Sequence, residues 1–271
     1  TLKEFCENIF AKRIEGSSWD GAGASLSSLL GNSAILSNER KMSQEDLMVL
    51  IEKYANEATV RRAKDLFKTK KFDDEIGRKL KGALLLRDMY AGRRGNSRST
   101  LYSGHQMVIK CSDGNPRRLI SILNAFYSMD SAVAGFKPIS QSVQDKVLRQ
   151  FSYDEYKRMI HEPGQGENLK NILSVIGKYF KRALHYTKLS TDLKLAFRFG
   201  SEGEDVWRVI EDAIGLGLVK PMVERSDYNT LPNMTGVFRL TYMLSPHFEL
   251  LPRRGKDVAL SSIMRFRTEK D

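Results

Sequence analysis

The run Gly114-Asn115-Pro116-Arg117-Arg118 constrains the fold of this chain more than any other short stretch. Asparagine is a favoured N-cap because its side chain accepts an amide N–H of the first turn. Proline suits the first helical position because its missing N–H would have no partner there. A helix is therefore predicted from here to about Met129, with Leu119, Ile122, Leu123 and Phe126 as its buried stripe. Arg117, Ser121 and Asn124 share the opposite side by spacings of four and three, so Arg117 projects from the first turn away from the core. A guanidinium fixed there is suited to a polyphosphate, since its fork of donors is rigid and always charged. The same spacing accommodates a solvated arginine or one paired with Asp113.

Helical patterning dominates the sequence before this point. Residues 1–15 read as a helix, with Leu2, Phe5, Cys6, Ile9 and Phe10 on one side, Thr1 and Glu4 as a capping box and Gly16 as a stop. A Gly- and Ser-rich stretch follows to Ser33, with Trp19 as a lone anchor. Ser43 caps the next helix, whose stripe is Leu47, Leu50, Ile51 and Tyr54; another is expected from Thr59 to Thr69, and a third capped by Asp73 and ending near Gly92. Arg93, Arg94 and Arg98 lie in a basic loop of small polar residues, suited to phosphate and equally to solvent. A short helix over His105 to Ser112 precedes the Asn115 cap.

Lys137-Pro138 reads as a boundary. Beyond it, helices are expected over Gln141 to Ile160 and Asn168 to Tyr186. The second is basic on one side through Lys170, Lys178, Lys181 and Arg182. Leu193, Leu195, Phe197 and Phe199 then alternate with Lys194, Ala196 and Arg198, the period of a strand with one buried face. A helix over Glu204 to Ile214, a strand from Val219 to Arg225, a turn-rich stretch from Ser226 to Thr235 and a strand from Val237 to Leu244 complete the order of a winged helix. Winged helices commonly lay a recognition helix in the major groove. Here that helix carries Glu204, Asp205, Glu211 and Asp212 against Arg208, which repels phosphate, so sequence-specific reading by it is not expected. The basic positions lie elsewhere, at Lys178, Lys181, Arg182, Lys194 and Arg198 and in the Arg253-Arg254 pair. DNA contact through these residues and protein docking through the acidic helix both remain open.

Composition narrows the class. A net charge of +11 over 271 residues favours an anionic partner through counterion release. No apolar run reaches the roughly 20 residues that span a bilayer, so no membrane segment is expected and a cytoplasmic location follows. Cys6 and Cys111 lack metal-type spacing, and the four histidines are scattered, so no metal site or complete catalytic site is expected. The chain starts with Thr rather than Met, as a fragment or a processed product would.

The Gly-x-Pro-Arg turn at 114–118 resembles the second sensor motif of AAA+ ATPases, where such a turn opens a lid helix and its arginine reaches the nucleotide phosphates. More widely the chain resembles the C-terminal half of an origin-recognition-type, initiator-like AAA+ P-loop ATPase. The resemblance is sharpest at Gly114 to Arg118 and architectural only in the last third. It implies a mostly α fold with a small β component: a helical lid with an insertion over residues 1–136, a winged-helix-like domain over 137–255 and a C-terminal tail over 256–271. It implies that Arg117, with Arg118 second, contacts ATP bound with magnesium by a P-loop core outside this sequence, since no Gly-rich loop ending in Lys and Ser or Thr is present here. ATP hydrolysis is expected only with that core attached. DNA or other nucleic acid, a homo-oligomer or an effector protein are the implied partners, and bacterial relatives extend the implied setting to phage defence. The alternative is a nonenzymatic basic helical adaptor for nucleic acid or an acidic protein.

Overall fold

The computed structural model describes residues 26–31, 38, 39, 41–92, 100–129, 138–161, 163, 164, 166–200, 202–222 and 234–268. The helix read over residues 1–15, Trp19, Cys6, the basic loop with Arg93, Arg94 and Arg98, and most of the wing lie outside them. The described chain is mostly helical with a small β component, as expected, and its strands form one four-stranded sheet where the sequence pattern predicts three strands.

Local chemistry sets the helix starts. Ser43 accepts the Asp46 amide at 3.1 Å and opens α1 (Gln44–Tyr54), which buries Leu47, Ile51 and Tyr54. Asn56 caps α2 (Glu57–Leu66) through the Thr59 amide at 2.8 Å, so this helix begins two residues before Thr59, where the sequence pattern starts it. The expectation that Asp73 caps the next helix is corrected. A short α3 (Lys70–Phe72) runs on through a π turn at Asp73–Gly77 into α4 (Arg78–Ala91). The Asp73 carboxylate takes Gln44 Nε2 at 2.9 Å and lies 3.4 Å from Lys81 Nζ, so it is spent on side chains rather than on a helix end.

Next come α5 (His105–Ser112) and α6 (Pro116–Met129), with the expected bounds. They are followed by α7 (Gln141–Arg158), capped by Ser140, and the long α8 (Gly166–His185). The last third holds β1 (Lys194–Arg198), α9 (Glu204–Gly215), β2 (Val219–Pro221), β3 (Val237–Leu240), α10 (Ser245–Phe248), β4 (Lys256–Ala259) and α11 (Leu260–Thr268).

The strand order is β2-β3-β1-β4. β3 runs antiparallel to both neighbours, pairing Phe197 with Phe238 and Val219 with Leu240, while β4 joins β1 in parallel. Two expectations change. β3 stops at Leu240 rather than Leu244: the Thr241 amide makes a last bond in register to the Leu218 carbonyl, and a 3-10 turn at Tyr242–Leu244 then takes the chain out of the sheet. The segment read as a tail supplies β4 and α11.

One hydrophobic core runs from Leu26 to Ile263. A buried polar group ties the stretch before α5 to the later helices. The Tyr102 amide donates to Asp145 at 2.8 Å, and its hydroxyl reaches the carbonyls of Ser245 (3.0 Å) and Leu250 (2.9 Å). Arg149 pairs with Asp145 (2.8 Å) and Glu249 (3.3 Å), and Glu249 also takes Lys181 at 2.7 Å. Burial pushes the Tyr102 hydroxyl well above its ordinary pKa, so it stays a donor.

Candidate functional site

The elbow between α5 and α6 is built from two consecutive left-handed residues, Asp113 (φ 57°) and Gly114 (φ 72°). Aspartate tolerates this region and glycine adopts it freely. A Cβ on Gly114 would meet nothing within 4 Å, so the requirement there is conformational. Asn115 then accepts the Arg118 amide at 3.2 Å, the capping bond expected for it, and α6 turns Ile122, Leu123 and Phe126 inward.

The two arginines of the elbow part company. Arg117 is exposed, and its guanidinium has no ion pair among the described residues. Arg118 is half-buried and docks on the sheet region, donating to Thr241 Oγ1 and to the Gly217 carbonyl, each at 3.1 Å. Burial lowers the Arg118 pKa, and the charge of Asp113 opposes that shift.

Asp113 is not the partner of Arg117. Its carboxylate, 5% exposed, receives Arg239 through both guanidinium nitrogens at 2.8 and 3.2 Å, the Thr241 hydroxyl at 2.7 Å and the Tyr242 amide at 3.2 Å. Lys220 Nζ donates to the Asp113 carbonyl at 2.7 Å. Burial alone would raise the carboxyl pKa, but the hydrogen bonds and charge of Arg239 outweigh it and hold the group below the usual range. The Arg239 guanidinium also lies over the Tyr242 ring at 3.8 Å. The elbow is thus bolted to β2, β3 and the turn after β3. Sequence reasoning missed Asp113, Arg239 and Thr241 in this role; the available signal was an arginine between the apolar Phe238 and Leu240 on a short strand.

The basic residues nominated for nucleic acid separate into two groups. Lys181 is committed to Glu249, Arg198 to Asp257 at 2.7 Å, and Arg182 is engaged within the protein. Lys178, Lys194 and Arg254 are exposed; Lys194 stands beside Lys256 in the β1–β4 register. Arg253 donates to main-chain carbonyls of α4. On α9, Trp207, Val209, Ile210 and Ala213 are buried, while Glu204, Asp205, Glu211 and Asp212 face solvent as expected.

Cys111 is buried and free, its thiol pushed up to about 12 by burial, which leaves it inert. No group of metal-ligating side chains occurs among the described residues, and none of their helices is long and apolar enough to cross a membrane.

A mostly helical chain with one small sheet fastened to the α5–α6 elbow agrees with the class that the family comparison gives, an initiator-like protein related to AAA+ ATPases. A family model described as ORC-CDC6-like matches residues 1–260, and the chain belongs to that family. Membership implies ATP use and, in general, DNA and oligomeric partners. No curated protein and no solved structure matches the chain.

Proposed function

We propose that this chain is the nucleotide-sensing and transmitting part of an AAA+ ATPase. In this reading residues 1–136 form the lid with its insertion and residues 137–255 a winged-helix-like domain that contacts DNA or a neighbouring subunit. The observation that carries the reading is the contrast at the elbow: Arg118 is spent inside the chain, whereas Arg117 leaves the first turn of α6 exposed and, among the described residues, without a carboxylate partner. Such a guanidinium fits the terminal phosphate of ATP held, with magnesium, by a P-loop core outside this sequence. When bound, the triphosphate supplies a charge whose number and position change on hydrolysis. The chain's own residues do the rest. Arg117 follows that charge, the Asp113-Gly114 elbow sets its direction, and the Asp113–Arg239 and Arg118–Thr241 contacts carry any tilt of α6 to β3.

The strand order supports the second half of the reading. Helix, β1, α9, β2, β3, with β3 between β1 and β2, is the order of a winged helix, although one helix rather than two lies between the first strands. The acidic outer face of α9 favours backbone contact by other surfaces over groove reading.

The test uses the full-length protein with its ATPase core. Arg117→Ala should slow ATP turnover or abolish nucleotide-dependent assembly on DNA while the fold melts as in the wild type. Turnover and assembly both unchanged reject the sensor role.

A further inference from the structure

The helical insertion in the lid, read from the sequence as about Trp19 to Ser103 and so including α4, is given no role of its own in the reading above, yet α4 meets the sheet region in a concentration of positive charge. Arg253, which follows α10, reaches the first turn of α4, donating to the carbonyls of Lys79 at 3.2 Å and Arg78 at 3.3 Å. A guanidinium therefore lies against two residues that are themselves cationic, and 174 positions separate Arg253 from Lys79 in the chain. Arg78, Lys79 and the adjacent Arg254 are exposed. Lys110 of α5 lies close by: burial lowers its pKa, Glu39 opposes that, and the charge of Arg253 adds to the lowering.

Among the described residues none of Arg78, Lys79, Arg253 and Arg254 forms an ion pair with a carboxylate. Of the acids nearby, Glu39 lies beside Gly82 and acts on Lys110, and three others are already occupied. Glu75, which feels the Lys79 charge, is bonded to Arg62 at 2.8 Å, and Asp73 lies 3.4 Å from Lys81. Asp113 belongs to Arg239. Cations drawn from two distant parts of the chain, none of them bonded to a carboxylate among the described residues, repel one another, and an external anion relieves that repulsion. Their arrangement across a junction of two elements suits an extended polyanion better than a single small ion, since a phosphodiester backbone offers charge at regular intervals and releases counterions when neutralised.

We propose that this seam, Arg78 and Lys79 of α4 with Arg253 and Arg254, is a contact surface for the phosphodiester backbone of duplex DNA, distinct from the basic positions on α8 and β1. It rests on the reading of the chain as a DNA-contacting family member, and gives the helical insertion a direct share in that contact.

The test is fluorescence anisotropy of the full-length protein on a mixed-sequence duplex across a salt series. Lys79 and Arg254 are the positions to change, because both are exposed and neither side chain makes a hydrogen bond among the described residues. The double variant Lys79→Ala, Arg254→Ala should weaken binding to all sequences alike and reduce the slope of log affinity against log salt by about 2, at roughly 0.9 for each phosphate that goes unneutralised. Thermal melting checks that the fold is retained. A slope and affinity equal to wild type overturn the seam, while the Lys178→Ala, Lys194→Ala variant shows whether α8 and β1 hold the DNA instead. Tighter binding of polyglutamate than of the duplex at equal charge, lost in the double variant, also overturns it, in favour of an acidic protein partner. If the wild type binds no DNA in any nucleotide state, the DNA part of the proposed function fails with it, whereas wild-type binding that the seam variant leaves intact sinks the seam alone.

Discussion

Asp113 and Arg239, 126 residues apart in sequence, form a two-pronged ion pair whose carboxylate is 5% and whose guanidinium is 13% exposed. Removing one partner of a buried pair strands the other. Asp113→Ala should cost about 3–5 kcal/mol in denaturant unfolding, and Arg239→Ala a similar amount. The double variant should cost clearly less than the sum of the singles, because the second change relieves the charge left by the first. Additive costs would show that the two side chains are not energetically coupled.

Acid should destabilise the protein in two stages. Burial holds the His185 imidazole below its usual pKa, although its hydrogen bond to the Glu249 carbonyl opposes this, and His247 is lowered for the same reason of burial. A folded value below the unfolded one means that the contribution is complete above about pH 6.5 and is lost as pH falls through the folded value. Asp113 is likewise depressed, so its share stays intact to about pH 4 and disappears below that. Unfolding free energy measured from pH 8 to 3 should show both declines, and His185→Gln should flatten the first.

Arg118→Ala should behave unlike its neighbour's replacement. It removes two hydrogen bonds from a half-buried guanidinium and leaves the Gly217 carbonyl without that donor, so a loss of about 1–2 kcal/mol is expected in chemical denaturation. Arg117→Ala should leave the denaturation midpoint where it is. Equal midpoints for the two variants would contradict the division of labour at the elbow.

Gly177 lets α8 approach α10 closely. A Cβ added there would lie 2.5 Å from the Phe248 ring, so Gly177→Ala should destabilise by about 1–3 kcal/mol. Phe248→Leu should recover part of that loss in the double variant, and a calorimetric melt of the four proteins measures it.

Much of the fold could be read from periodicity, and the reasons are visible residue by residue. Asn115-Pro116 marked the start of α6 because capping is a local property, and Leu193 to Phe199 marked β1 because one face is buried along its length. Asp73 misled because cap and side-chain acceptor look alike in sequence; its partner Gln44 lies 29 positions away. β4 was not legible because it pairs in parallel with β1 across a long connection and its residues Lys256 to Ala259 carry no strong alternation. At the elbow, the helix and the outward aim of Arg117 followed from spacing. The Asp113–Arg239 pair did not, since nothing local links residues so far apart. The same limit hid the approach of Arg253 to α4.

Tyr102 sits before α5 with its ring fully enclosed and its hydroxyl between two carbonyls of the α10 region, and Asp113 and Arg118 grip β3 and its flanks from the same half. A protease cut between α6 and α7 would accordingly leave two fragments that migrate together on a sizing column under native conditions and separate only in denaturant. Either fragment expressed by itself would present a raw apolar face to water and precipitate.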